Sequence, residues 1–222
     1  MTNYRSALVL AALIGGAACA DDKTPPATQP AAAKPGAAAP ATPSPAKPAT
    51  AGPAAGALAH YAQAAGSHLG FSFEQAGAQG NGTFKRFDTT LDYDPNNLAA
   101  SRLQVKVQIA SLDTQDKDRD TTLASADLFD AQKYPVATYS AGSLAKGANG
   151  VEAVGKLTIR NVTKDLRVPL TIKPAGAGLE LSGTVTIKRL DYGVGQGEWQ
   201  ATDSIGDRVK LTYKVVLSKA AG

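Results

Sequence analysis

Residues 101–109 read SRLQVKVQI, with Leu103, Val105, Val107 and Ile109 on one parity and Arg102, Gln104, Lys106 and Gln108 on the other. Period-two alternation puts every apolar side chain on one face of a strand, and that face must be covered. The pattern recurs along the chain. Leu69, Phe71 and Phe73 share a face, as do Phe87, Leu91 and Tyr93, and Ala137 and Tyr139. Val151, Ala153, Leu157 and Ile159 follow, then Leu166, Val168, Leu170 and Ile172. Leu179, Leu181, Val185 and Ile187 come next, and Val209, Leu211, Tyr213, Val215 and Leu217 end the series. No long stretch has helical period. Half-buried strands of this type belong to antiparallel sheets. About eight of them close most readily into an up-and-down barrel, which leaves no free edge. The fold class expected is therefore all-β, an eight-stranded antiparallel barrel, with interior room for side chains or one small ligand. Pro169 falls on the outward parity of its strand, which favours an edge or bulge position.

One segment interrupts the regularity. From Asp113 to Pro135 the chain reads DTQDKDRDTTLASADLFDAQKYP, with no strand period. Asp120 is expected to N-cap a short helix, with Leu123, Leu128 and Phe129 turned inward. The segment reads as a polar connection and a short helix folded across one end of the barrel.

The first 19 residues have a different character. Arg5 precedes an apolar run from Ala7 to Ala18, and Cys19 follows. This is the layout of an export signal, and the run is too short to cross a bilayer as a helix. Cys19 is the single cysteine of the chain. It stands where a signal would be cut, and GAAC resembles a bacterial lipobox, although Gly16 stands where Leu is common. The expected outcome is a lipid anchor at Cys19. The alternative is cleavage near Ala18 or Ala20 with an incidental thiol. Residues 20–56 hold nine of the 13 prolines and no aromatic residue. They read as a disordered Pro/Ala-rich tether, and residues 57–222 as one domain.

Composition narrows the function. The formal net charge of +4 is spread over the chain and forms no basic run, so nothing resembles a nucleic-acid footprint. His60 and His68 are the only histidines. His60 lies at the expected disordered edge and His68 on an outward parity. With no cysteine in the domain, a zinc or copper site lacks ligands. No nucleophile elbow or triad is present, and no constellation supports catalysis, so no enzyme activity, metal or cofactor is expected. Three motifs admit a ligand role beside a structural one. Arg119–Asp120 either grips a polar head group at the barrel mouth or caps the helix and ties it to the rim. Leu157–Lys164, LTIRNVTK, reads as a tight hairpin with a charged tip. Tyr192–Trp199, YGVGQGEW, lacks the features of a phosphate loop and reads as a flexible loop that folds Trp199 onto the rim.

RDTTLASADLFDAQKYPVATY, GKLTIRNVTKDLRVPL and IKRLDYGVGQGEW together resemble the YceI-like family of bacterial periplasmic proteins, in order over residues 67–218. The GVGQGEW form is similar to the branch found beside cytochrome b561-type membrane proteins. The resemblance implies a lipocalin-like barrel with an apolar tunnel for a polyisoprenoid or a related amphiphile such as a prenylquinone. It also implies a location in the periplasm. The inward residues expected to line the tunnel are Leu69, Phe71, Phe73, Phe87, Leu103, Val105, Val107, Ile109, Leu123, Phe129, Leu157 and Val185, with Arg119 and Trp199 at the rim. Aromatic residues make up only 6% of the chain, little bulk for a barrel filled by its own side chains. Two further readings remain open: a quinone-holding accessory module with a cytochrome b561-type partner, and a filled barrel with no ligand. Acylation at Cys19 predicts that the protein sediments with membranes and that Cys19→Ser releases it to the soluble fraction. Equal partitioning of both forms would remove the anchor.

Overall fold

A computed structural model describes residues 58–148 and 150–220. The expected export signal, Cys19 and the tether lie outside these residues. The described part holds eleven strand segments: β1 (Ala59–Gln63), β2 (His68–Gln75), β3 (Ala78–Phe84), β4 (Phe87–Tyr93), β5 (Arg102–Gln108), β6 (Leu112–Asp113), β7 (Val136–Gly147), β8 (Gly150–Ile159), β9 (Val162–Ala175), β10 (Gly178–Lys188) and β11 (Arg208–Lys219). Every pairing is antiparallel.

Six of the segments form three bent staves. β1 and β2 pair in succession along one edge of β11, with Tyr61 opposite Lys219 and Ser72 opposite Lys210. β3 and β4 line the other side of β2 and β1, and β5 and β6 pair in turn with β4 and β3. With β7 to β11 there are eight staves, and the β1–β11 pairing closes the ring. Serine hydroxyls supply hydrogen bonds where the staves bend. Ser67 Oγ accepts from Val216 N (3.0 Å) and Ser111 Oγ accepts from Arg86 N (3.0 Å). Each alternating run of the sequence is a section of a different stave. His60, expected at a disordered edge, instead lies within β1, its Nδ1 2.6 Å from Asp92 Oδ1.

The structure adds β1, β3 and β6 to the strands read from sequence. β3 (AQGNGTF) carries no apolar alternation because glycine occupies two of its inward positions, Gly80 and Gly82, before Phe84. Gly80 faces Phe73 and Gly82 faces Phe71, and the aromatic rings lie over the glycines. A Cβ at Gly82 would stand 2.3 Å from the Phe71 ring, and one at Gly80 would stand 2.5 Å from the Phe73 ring.

One end of the barrel is packed solid: Leu91, Ala153, Leu181 and Leu217 are at most 2% exposed. The helix α1 (Lys117–Ala124) lies at the opposite end. Its N-cap is Asp116, not Asp120. Asp116 has extended backbone and accepts from the amides of Asp118 and Arg119, whereas Asp120 sits inside the helix and accepts from Thr114 N (2.8 Å) and Thr114 Oγ1 (2.7 Å). The β8–β9 hairpin turns at Arg160 and Asn161, both with positive φ (49° and 63°), as a two-residue hairpin of this hand requires. Arg160 donates to the Leu128 carbonyl and so joins the hairpin to the loop after α1. Gly82→Ala is expected to destabilise the barrel by about 1–3 kcal/mol through overpacking against Phe71. Gln79→Ala, at an exposed position of the same strand, should stay within about 0.5 kcal/mol. Urea midpoints of the two variants test this.

Candidate ligand-binding tunnel

Between the packed end and α1 the barrel is hollow. Two adjoining chambers have volumes of about 110 Å³ and 120 Å³. Leu69, Val107, Ala137, Leu157 and Leu211 line both. Each is comparable to the ~150 Å³ of an engineered apolar cavity that stays dry and takes up benzene. The void also shows in the exposure of the walls. Val105, Val107, Val185 and Leu211 have inward parity yet are only half-buried, while Leu103 on the same strand as Val105 is 3% exposed.

The residues expected from sequence divide into three groups. Phe87, Leu103, Val105 and Val185 line the inner chamber. Phe71, Phe73, Ile109, Leu123 and Phe129 line the chamber next to α1, and Leu69, Val107 and Leu157 border both. Arg119 and Trp199 line a groove at the α1 end that shares Phe73, Leu123, Leu128 and Ile205 with the adjacent chamber, and Arg119 pairs with Asp116 at 3.4 Å. Arg119 thus borders the rim of the chamber without lining its wall. Its helical position keeps it off the wall, and parity arguments do not reach into a helix.

Two tyrosines absent from that expectation hold the tunnel wall. Tyr139 on β7 donates to Ala153 O (2.9 Å) and Leu166 O (3.2 Å), and so spans β8 to reach β9. Tyr213 on β11 lies across Gly183 of β10 and donates to Pro169 O of β9. Gly183 leaves space for this crossing, since a Cβ there would stand 2.5 Å from the Tyr213 hydroxyl. Burial pushes both phenols well above their ordinary value, so they stay protonated donors at neutral pH. Inward glycines beside inward tyrosines were the available signal. Thr89, 2% exposed, also borders the inner chamber, and its hydroxyl has no partner among the described residues.

Arg189 was also missed. It is 4% exposed, and desolvation draws its pKa down while nearby Asp207 opposes the shift. Its Nε donates to Gly206 O (3.1 Å). Nη1 donates to Val194 O (3.0 Å) and Trp199 O (2.7 Å), and Nη2 to Ala201 O (3.4 Å) and Ile205 O (2.8 Å). Five N–H donors thus meet five carbonyls, the full capacity of a guanidinium. The loop that roofs the α1 end is wound around one buried cation. Parity would have found it, because Ile187 points inward and Arg189 follows two residues later.

A closed antiparallel barrel around an apolar tunnel is a lipocalin-like architecture. The chain belongs to the YceI-like family: the YceI-like domain matches residues 61–217. Protein YceI of Escherichia coli O17:K52:H18 is 34% identical over 129 residues, which cover 54% of this chain and 64% of that protein. The crystal structure of BcnA from Burkholderia cenocepacia is similar with a TM-score of 0.64 and 33% identity, over 68% of this chain and 95% of BcnA. A polyisoprenoid binding domain from Saccharophagus degradans shares the fold, with a TM-score of 0.59 at 18% identity, over 73% of this chain and 99% of that one.

If Arg189 is the core of the loop, Arg189→Met should cost on the order of 3–5 kcal/mol by leaving buried carbonyls unpaired. It should also open residues 193–206 to protease, with Arg189→Lys intermediate. An unchanged urea midpoint and an intact loop would show that the loop holds itself.

Proposed function

We propose that the domain binds a long-tailed amphiphilic lipid of the isoprenoid type inside the barrel, in the bacterial cell envelope, and performs no catalysis. The observation that carries this reading is the pair of adjoining apolar chambers whose inward valines and leucines remain half-buried. A barrel that needed only a core would have filled the space, because interiors pack to crystal-like density. A branched apolar chain would restore the missing contacts and bury the exposed wall, at roughly 25 cal/mol per Å² before the costs of association. Membership of the YceI-like family and the shared fold of a polyisoprenoid binding domain support the ligand class. The export signal read from the first 19 residues supports the location. A prenylquinone lies within the same class, since the tunnel would hold its tail.

The test uses bulk. Val105→Trp and Val107→Trp place a large ring in the void, so each should lower stability by less than the ~1–3 kcal/mol of an overpacked core. Each should also cut the lipid that co-purifies several-fold. Lys106→Trp, on the outward parity of β5, should leave both unchanged. Native mass spectrometry and unfolding midpoints report the two quantities. A parent protein without lipid, together with large stability losses at Val105 and Val107, would mean a filled barrel.

A further inference from the structure

The ring of staves is closed, but it is not hydrogen-bonded along its whole height. β9 and β10 are joined by five residue pairs, from Ala175–Gly178 to Thr171–Ser182, and the ladder stops there. Both strands continue, β9 back to Val162 and β10 on to Lys188, and each keeps its other neighbour throughout. β9 pairs with β8 as far as Val162–Ile159, and β10 pairs with β11 as far as Lys188–Arg208. An unpaired seam therefore runs down one wall. Pro169 stands near its head, where it has no N–H to offer a ladder, and the Tyr213 hydroxyl takes its carbonyl. The foot is held by Lys164–Asp191 at 3.5 Å, both half-exposed, a type of pair worth about 0–1 kcal/mol.

The tunnel lies directly behind this seam. Leu166 and Val168 on one lip and Val185 on the other line the inner chamber, and Leu166 and Val185 are only half-buried. The two ends of the barrel are more obstructed. One is packed solid, and the other is roofed by Leu128, Tyr192, Val194 and Ile205, each at most 8% exposed, under the loop bolted by Arg189.

The outer faces of β10 and β11, from the β10 lip of the seam across one further strand, carry a group of three cations. Lys188 is directly opposite Arg208, and Lys210 is opposite Thr186. Like charges placed face to face across strands destabilise a sheet. Among the described residues none of these three cations forms an ion pair, and Glu74 shares the groove with Arg208 and Lys210 without pairing. Cations retained in this arrangement suit an anion supplied from outside.

We propose that the lipid tail enters and leaves sideways through the β9–β10 seam, and that the ligand is an anionic amphiphile whose phosphate or carboxylate head rests on Lys188, Arg208 and Lys210. The proposal rests on the lipid-binding reading above. The probe is cis-parinaric acid, whose fluorescence rises in an apolar site, added to the full chain carrying Cys19→Ser so that only introduced thiols react. Cysteines at Arg167 and Thr186, on the exposed faces of the two lips, are joined by a reducible bis-methanethiosulfonate linker. The link should slow uptake ten-fold or more, and reductant should restore the rate. The same link between Lys156 and Asp165, which face each other in the intact β8–β9 ladder, should change nothing. Unchanged uptake across the linked seam would overturn the entry route. Lys188→Ala/Arg208→Ala should weaken parinaric acid several-fold and its methyl ester not at all; equal effects on both, or none, would overturn the anionic head group. No fluorescence rise in the parent chain would instead remove lipid binding itself.

Discussion

Everything inside this barrel depends on β11 finding the first strand of the domain. Tyr61 to Gln63 pair with the end of β11, and His68 to Ser72 pair with its beginning. This long-range contact converts an open meander into a ring. Without it two edges would lie bare, and the apolar face of every stave would need another cover. With it, the inward faces cover one another at a distance set by strand number rather than by side-chain volume. A ring of eight staves fixes the width of the interior first, and the side chains then fill it or leave space.

This order explains what could and could not be read from the sequence. Period-two alternation reports which way a side chain points, so a section of all eight staves was legible, along with the walls of the tunnel. It does not report how much space lies beyond the side chain. The difference between the filled end at Leu91 and Leu217 and the hollow middle at Val105 and Val107 is therefore visible only in the structure. β3 escaped because aromatic rings on β2 cover its inward glycines, and Phe84 alone at its end marks no alternation. The N-cap was assigned four residues late because several aspartates lie close together, and only backbone conformation separates a cap from an interior position.

The polar residues show the same limit from the other side. Arg119 stood in a charged cluster and lies in the groove at the rim, outside the chamber wall. Arg189 stood in a mixed segment, IKRLDYGVG, and is the buried centre of a knot of five loop carbonyls. Tyr139 and Tyr213 were counted among the apolar side chains of their strands, yet their hydroxyls hold β9 from both flanks. In each case the chemistry follows from where the polar end of a long side chain comes to rest. Strand parity fixes only where such a side chain starts.

The Arg189 clamp has an evolutionary consequence. All five of its partners are main-chain carbonyls, which any amino acid supplies. The exposed side chains between residues 196 and 204 can therefore change without loosening the loop, whereas Gly195, where a Cβ would stand 1.9 Å from Arg189 Nη1, and the buried Val194 and Ile205 must be kept. A lineage that needs a different rim, for another head group or another docking partner, can rewrite that surface one residue at a time while the barrel stays roofed.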